Sequence, residues 1–96
     1  MDAKKLFEEG VEYERRALEN TQFTHVHSVE IREEVFRNKY LPAAQDGYPP
    51  AMEEVANYYM QDGQKIKSVT WVQKYKRATG ASTIDIIYKF GAKFIN

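Results

Sequence analysis

The sequence predicts an all-α domain of about five helices arranged in antiparallel hairpins. Two observations carry that expectation. Apolar residues recur at intervals of three and four over most of the chain, the stripe of an amphipathic helix. Between these stripes stand turn signals (Gly47, Asp62-Gly63 and Gly80) in place of alternating β-branched runs. Ninety-six residues, 43% of them hydrophobic and 14% aromatic, suffice for one domain with a core, residues 1–96 as a unit. The same composition argues against disorder.

The first helix is expected from about residue 3, with Asp2 as its cap. Its stripe is Leu6, Phe7, Gly10, Val11, Tyr13, Ala17 and Leu18, and Glu12, Glu14, Arg15, Arg16 and Glu19 cover the outer face. Gly10 inside a helix costs about 1 kcal/mol of propensity, so a neighbouring helix should approach closely there. Residues 21–27 read as a connector anchored by Phe23 and Val26. Ser28 is the expected cap of a second helix running to about residue 40, with Val29, Ile31, Val35, Phe36, Tyr40 and Leu41 apolar. Pro42 lacks a donor and clashes with the preceding turn, which predicts a kink before Ala43-Ala44. Gly47 then ends a hairpin spanning about 3–46.

A third helix opens on Pro49-Pro50, since proline suits the first turn, and buries Ala51, Met52, Val55, Ala56 and Tyr59. A fourth, about 65–79, carries Ile66, Val69, Trp71, Val72, Tyr75 and Ala78 and completes a hairpin of about 49–79. A final helix of about 82–95 starts at Ser82, with Asp85 completing a capping box. It has two apolar stripes: Ile84, Ile87, Tyr88 and Ile95 on one, Ile86, Phe90 and Phe94 on the other. A helix apolar on two sides is usually covered on two sides. With no helix following, either helices one and two wrap back so that both stripes are covered within one monomer, or one stripe meets a partner or a second copy, with Phe90 and Phe94 packing a weak homodimer.

The segment from residue 43 to 71 has a further pattern: Ala43, Ala44, Gly47, Ala51, the Val55-Ala56-x-x-Tyr59 element, Gly63 and Trp71 in that order. It resembles a Sel1-like repeat, a relative of the tetratricopeptide (TPR) repeat, over about residues 41–81. Ala56 stands where glycine is usual, and the loop after Asp62 is short. Gly47 and Gly80 lie 33 residues apart (80 − 47), within the range of helical-hairpin repeats. The resemblance implies a short α-solenoid; a compact five-helix bundle is the alternative. It also implies a non-catalytic interaction module, an adaptor or small inhibitor or regulator of another protein. In such units the first helix of a hairpin lines the concave face, which would place Glu54, Asn57, Tyr58 and Gln61 against the partner. Tyr58 is the leading anchor, because its large ring has little rotamer freedom to lose.

Formal charge is zero but unevenly placed. Residues 63–96 carry Lys65, Lys67, Lys74, Lys76, Arg77, Lys89 and Lys93 against Asp85 alone, a net +6, so residues 1–62 carry −6. Read as a basic patch, that third gives the alternative function, a nucleic-acid-associated module held by salt-dependent phosphate contacts. Zero net charge and the lack of a base-reading motif favour an acidic protein surface instead.

Other chemistry finds little support. There is no cysteine, which excludes disulfides and thiolate sites. His25-x-His27 with Glu30 could share a metal ion on an extended segment, but no fourth ligand stands nearby and no metal site is expected. The pairs Glu33-Glu34 and Glu53-Glu54 diverge by about 100° on a helix, so neither serves acid–base catalysis. No glycine elbow or phosphate-cradling loop is present, and neither a catalytic residue nor a cofactor is expected. No apolar h-region and no run of roughly 20 apolar residues appears, which predicts a cytoplasmic protein without a membrane segment.

Overall fold

The computed structural model describes residues 1–19 and 25–91, excepting the side chains of residues 25–27. Among the described residues the chain is all-α, with no strand. Helix α1 (Ala3–Glu19) is followed by α2 (His25–Val35), a π-helical stretch (Phe36–Tyr40) and α3 (Leu41–Gln45), which run on as one rod. Then come α4 (Pro49–Gln61), α5 (Lys65–Thr79) and α6 (Thr83–Phe90). None of these helices is long and apolar enough to cross a membrane.

Asp2 caps α1 as expected: the Lys5 N–H donates to its Oδ1 at 3.1 Å. The docking face of α1 is narrower than the apolar stripe in the sequence. Ala3, Leu6, Phe7 and Ala17 pack on the core and Gly10 is buried, while Val11, Tyr13 and Leu18 are exposed. Positions 3, 7, 10, 14 and 17 therefore share the inward face, and Glu14 stands among them. On the outer face Glu12 pairs with Arg15 at 2.6 Å and Arg16 at 2.7 Å; such exposed pairs contribute a few tenths of a kcal/mol each.

Gly10 lies against the π-helical stretch. A Cβ built there would stand 2.8 Å from Lys39 Cβ and 2.9 Å from Tyr40 Cε1. Neither atom is the free end of a flexible chain, and Tyr40 is itself buried. Gly10→Ala gains about 1 kcal/mol of helix propensity. Overpacking costs about 1–3 kcal/mol. A net loss of about 1 kcal/mol is expected in chemical denaturation, and a raised midpoint would show that the α1 seam opens freely.

One boundary differs from expectation in this region. Helix α2 starts at His25, so Ser28 lies inside it and is not its cap; the anchor Phe23 lies outside the described residues. At Pro42 the helix does not stop; the turn before the proline widens. The Leu41 N–H donates to Phe36 O, five residues back, directly before the proline. A π-turn moves the carbonyls away from the ring and absorbs the missing donor, so the rod continues to Ala43 and Ala44.

The turn after α3 closes with the Gly47 and Tyr48 N–H groups donating to Ala44 O and Ala43 O. Helix α4 buries Ala51, Met52, Val55 and Ala56 as expected, with Tyr59 half-buried. It forms a hairpin with α5, where the fully buried Ser68 hydroxyl donates to Ala56 O at 2.6 Å. Trp71 and Val72 are buried, but Ile66 is 84% exposed and leaves the stripe assigned to it.

Helix α6 opens on the expected capping box. The Asp85 N–H donates to Ser82 Oγ, and the Ser82 N–H donates to Asp85 Oδ2. That second bond holds the Asp85 carboxyl below its ordinary range. The helix ends at Phe90, short of residue 95, because Gly91 takes φ +98°, a conformation open to glycine and incompatible with helix. Ile86 and Phe90 face the core, Phe90 edge-on to Tyr75 at 5.3 Å. The expected partner role of Phe90 therefore gives way to a packing role. The uncovered stripe is Ile84, Ile87 and Tyr88, and Phe94 lies outside the described residues.

Candidate protein-interaction site

The four α4 residues expected to meet a partner share one groove. It is a slot of about 50 Å³ between α1, α2, the π-helical stretch and α4, lined by Glu54, Asn57, Tyr58 and Gln61 with Glu14, Arg32, Phe36 and Tyr40. A second depression of about 200 Å³ adjoins it through Arg32, Tyr58 and Gln61 and adds Val29 and Asp62. Residues 54, 57, 58 and 61 lie three or four apart, so one face of α4 presents them together. The opposite face, at 51, 52, 55 and 56, holds α4 on the core.

Tyr58 is the aromatic wall of this groove. Its ring stacks on Phe36 at 3.9 Å between centroids, with the planes 9° apart, and meets Tyr59 edge-on at 6.2 Å. The ring is therefore half-buried and pre-positioned. Burial, with the nearby Glu33 and Asp62 carboxylates, raises the pKa of its hydroxyl. Arg32 crosses the groove and donates from Nη2 to Gln61 Oε1 at 3.0 Å.

Two carboxylates face the same space. Burial raises Glu14, and Arg32 opposes that rise. Burial also raises Glu54, helped by Glu14 and Glu53 and opposed by Arg32. Tyr40 beneath them is pushed upward by burial and then by both carboxylates. Glu54 keeps solvent contact at the mouth, so its penalty is modest. In a folded state that raises an acid's pKa, the penalty is absent below the ordinary carboxylate range. It grows as pH rises through the folded value. Glu54→Gln is thus expected to stabilise the protein at pH 7 by no more than about 1 kcal/mol, and to lose that advantage in acid. Paired denaturation curves at pH 7 and pH 3.5 check this; an equal effect at both would show that charge is not the cause.

The remaining sequence-derived residues do not join the groove. The basic residues of the last third do not form one patch, because the length of α5 spreads them. Lys65 and Lys67 open the helix, while Lys74, Lys76 and Arg77 lie near its end, up to about 18 Å away. Lys89 pairs with Glu53 at 3.4 Å, and that carboxylate raises its pKa. Lys76 Nζ donates to Thr83 Oγ1 at 3.0 Å, and Lys93 lies outside the described residues. The acidic pairs divide as well. Glu33 reaches Arg37 at 3.3 Å, and Glu53 takes Lys89 while Glu54 turns to the groove. His25 and His27 fall in the first turn of α2 and not on the extended segment expected for them, and their side chains lie outside the described residues.

Glu14 and Arg32 were not anticipated as groove residues. The signal for Glu14 was its position in the 3-7-10-14-17 register. Arg32 gave none, because its role depends on how α2 lies across α4. Comparison with protein-family models, curated proteins and solved structures returns no match.

Proposed function

We propose that this chain is a non-catalytic protein-interaction module, an adaptor or small regulator that receives a segment of a partner protein along the α4 groove. The observation that carries the reading is the convergence of Glu54, Asn57, Tyr58 and Gln61 with Arg32 around one pre-positioned aromatic ring. Interface anchors are typically rigid aromatics and arginines set among polar contacts. The groove supplies both, with amides at Asn57 and Gln61 to satisfy a partner's backbone.

A Sel1-like or TPR-like arrangement of the hairpins is consistent with this use. Ala43, Ala44 and Ala51 are 0–1% exposed, as expected where small residues let two helices approach. In that arrangement α4 is the first helix of its hairpin and its open face is the binding face. A cytoplasmic setting accords with a cysteine-free chain.

Affinity capture from source lysate, with wild type beside Arg32→Glu and Tyr58→Ala, tests the proposal. A protein retained by wild type should be lost from both variants, with Tyr58→Ala weakening the purified pair by at least about 30-fold, the scale of an interface anchor. Arg32 bonds Gln61 and also offsets the charge of Glu14 and Glu54, so a denaturation midpoint measured for each variant is what separates binding from folding. Equal retention by both variants would place the site elsewhere.

A further inference from the structure

A second concavity, separate from the α4 groove, lies where the turn after α3 meets the end of α5. It is an open groove of about 430 Å³, with Trp71 and Met52 on its floor and Gln45, Gly47, Lys74 and Arg77 around it. Among the described residues no carboxylate lines it. Lys74 Nζ sits 4.2 Å from the centre of the Trp71 ring, and among the described residues neither Lys74 nor Arg77 is paired with an acid. The Pro42, Ala44 and Ala43 carbonyls at the turn accept from the Asp46, Gly47 and Tyr48 N–H groups.

We infer that this groove binds an acidic peptide segment of a partner protein, whose carboxylates pair with Lys74 and Arg77 beside Trp71. Residues three apart on a helix place their Cβ atoms about 5–6 Å apart. Alternate side chains of an extended peptide are about 6.6 Å apart on one face, so two acidic residues flanking one other match the pair. Arg77 offers a bidentate fork to a carboxylate, and Lys74 offers a charge held in place over the indole.

Nucleic acid fits less well for two reasons. Non-specific binding needs several phosphate contacts along a track, and the nearby cations Lys76 and Lys89 are engaged with Thr83 and Glu53. Base stacking needs an open aromatic face, whereas Trp71 is 8% exposed and carries Lys74 over its ring.

Trp71 is the chain's one tryptophan, so its emission reports on this groove directly. The test titrates the full chain with a capped hexaglutamate peptide at low salt. Capped hexalysine and a six-residue oligothymidylate run in parallel. Hexaglutamate should change the emission saturably with Kd below about 1 mM. Lys74→Gln with Arg77→Gln should weaken it at least tenfold while the circular dichroism is unchanged, and the oligonucleotide should bind more weakly. Absence of a saturable change, an undiminished response in the double variant, or equal binding of hexalysine overturns the inference. An oligonucleotide binding as tightly as hexaglutamate also overturns it, in favour of a phosphate-polyanion site.

Discussion

Trp71→Ala is expected to lower stability by about 3–5 kcal/mol, the range for truncating large core aromatics. The indole is 8% exposed and belongs to the same core cluster as Val55, Val72 and Met52, and Tyr59 packs against that cluster. It therefore helps to hold the α4–α5 hairpin. The Lys74 ammonium over the ring would lose its aromatic partner as well. A 96-residue domain has a total stability of roughly 5–14 kcal/mol, so the loss is a large share of the total. Trp71→Phe retains most of the buried surface and should cost about 1–2 kcal/mol. Urea denaturation followed by circular dichroism at the helix band checks both variants without relying on the lost fluorophore. A midpoint for Trp71→Ala within error of wild type would remove the hairpin-repeat reading, since that reading requires the tryptophan at the helix seam.

The features legible in the sequence are those decided by local chemistry. Gly10 marked a close helix approach because no other residue belongs there in a helical stripe, and the structure puts Lys39 and Tyr40 against it. Ser82 and Asp85 form their capping box across four residues, and the inner stripe of α4 follows from spacing alone. What the residues did not disclose depends on packing between distant segments. Pro42 declared a conflict with the helix but not that a π-turn just before it would take up the missing donor. Both stripes of α6 are apolar; only its packing on the core, with Phe90 against Tyr75, selects Ile86 and Phe90 for burial and leaves Ile84, Ile87 and Tyr88 outside. Glu14 was assigned to the outer face by its charge, although its register placed it inward. The face of α4 expected to meet a partner could be listed from sequence, but its wall could not. That wall comes from Phe36, which lies 22 residues before Tyr58 (58 − 36) and is brought under it by the π-helical rod.

That dependence makes Phe36 the other position of large effect. Its side chain is 8% exposed, stacks on Tyr58 at 3.9 Å and meets Tyr59 edge-on at 5.2 Å. Phe36→Ala removes the ring and should cost about 3–5 kcal/mol, because the flanking π-turn and the buried Val35 leave little room for the site to collapse. Phe36→Leu keeps a buried apolar side chain and should cost about 1–2 kcal/mol. The two variants also separate stability from groove shape. In wild type the Phe36 ring lies face-on to Tyr58, so the Tyr58 ring protons should resonate upfield of the other tyrosines. In Phe36→Leu the fold persists but that ring-current shift should disappear. Burial is the first cause of the raised Tyr58 hydroxyl pKa, so loosening the stack should also move its titration toward the ordinary tyrosine range. Nuclear magnetic resonance of the wild type and Phe36→Leu measures both quantities. An unchanged Tyr58 shift in the leucine variant, or a Phe36→Ala midpoint equal to wild type, would mean that the stack does not shape the groove. Tyr58 would then be an ordinary surface ring, and the binding face would have to be sought off α4.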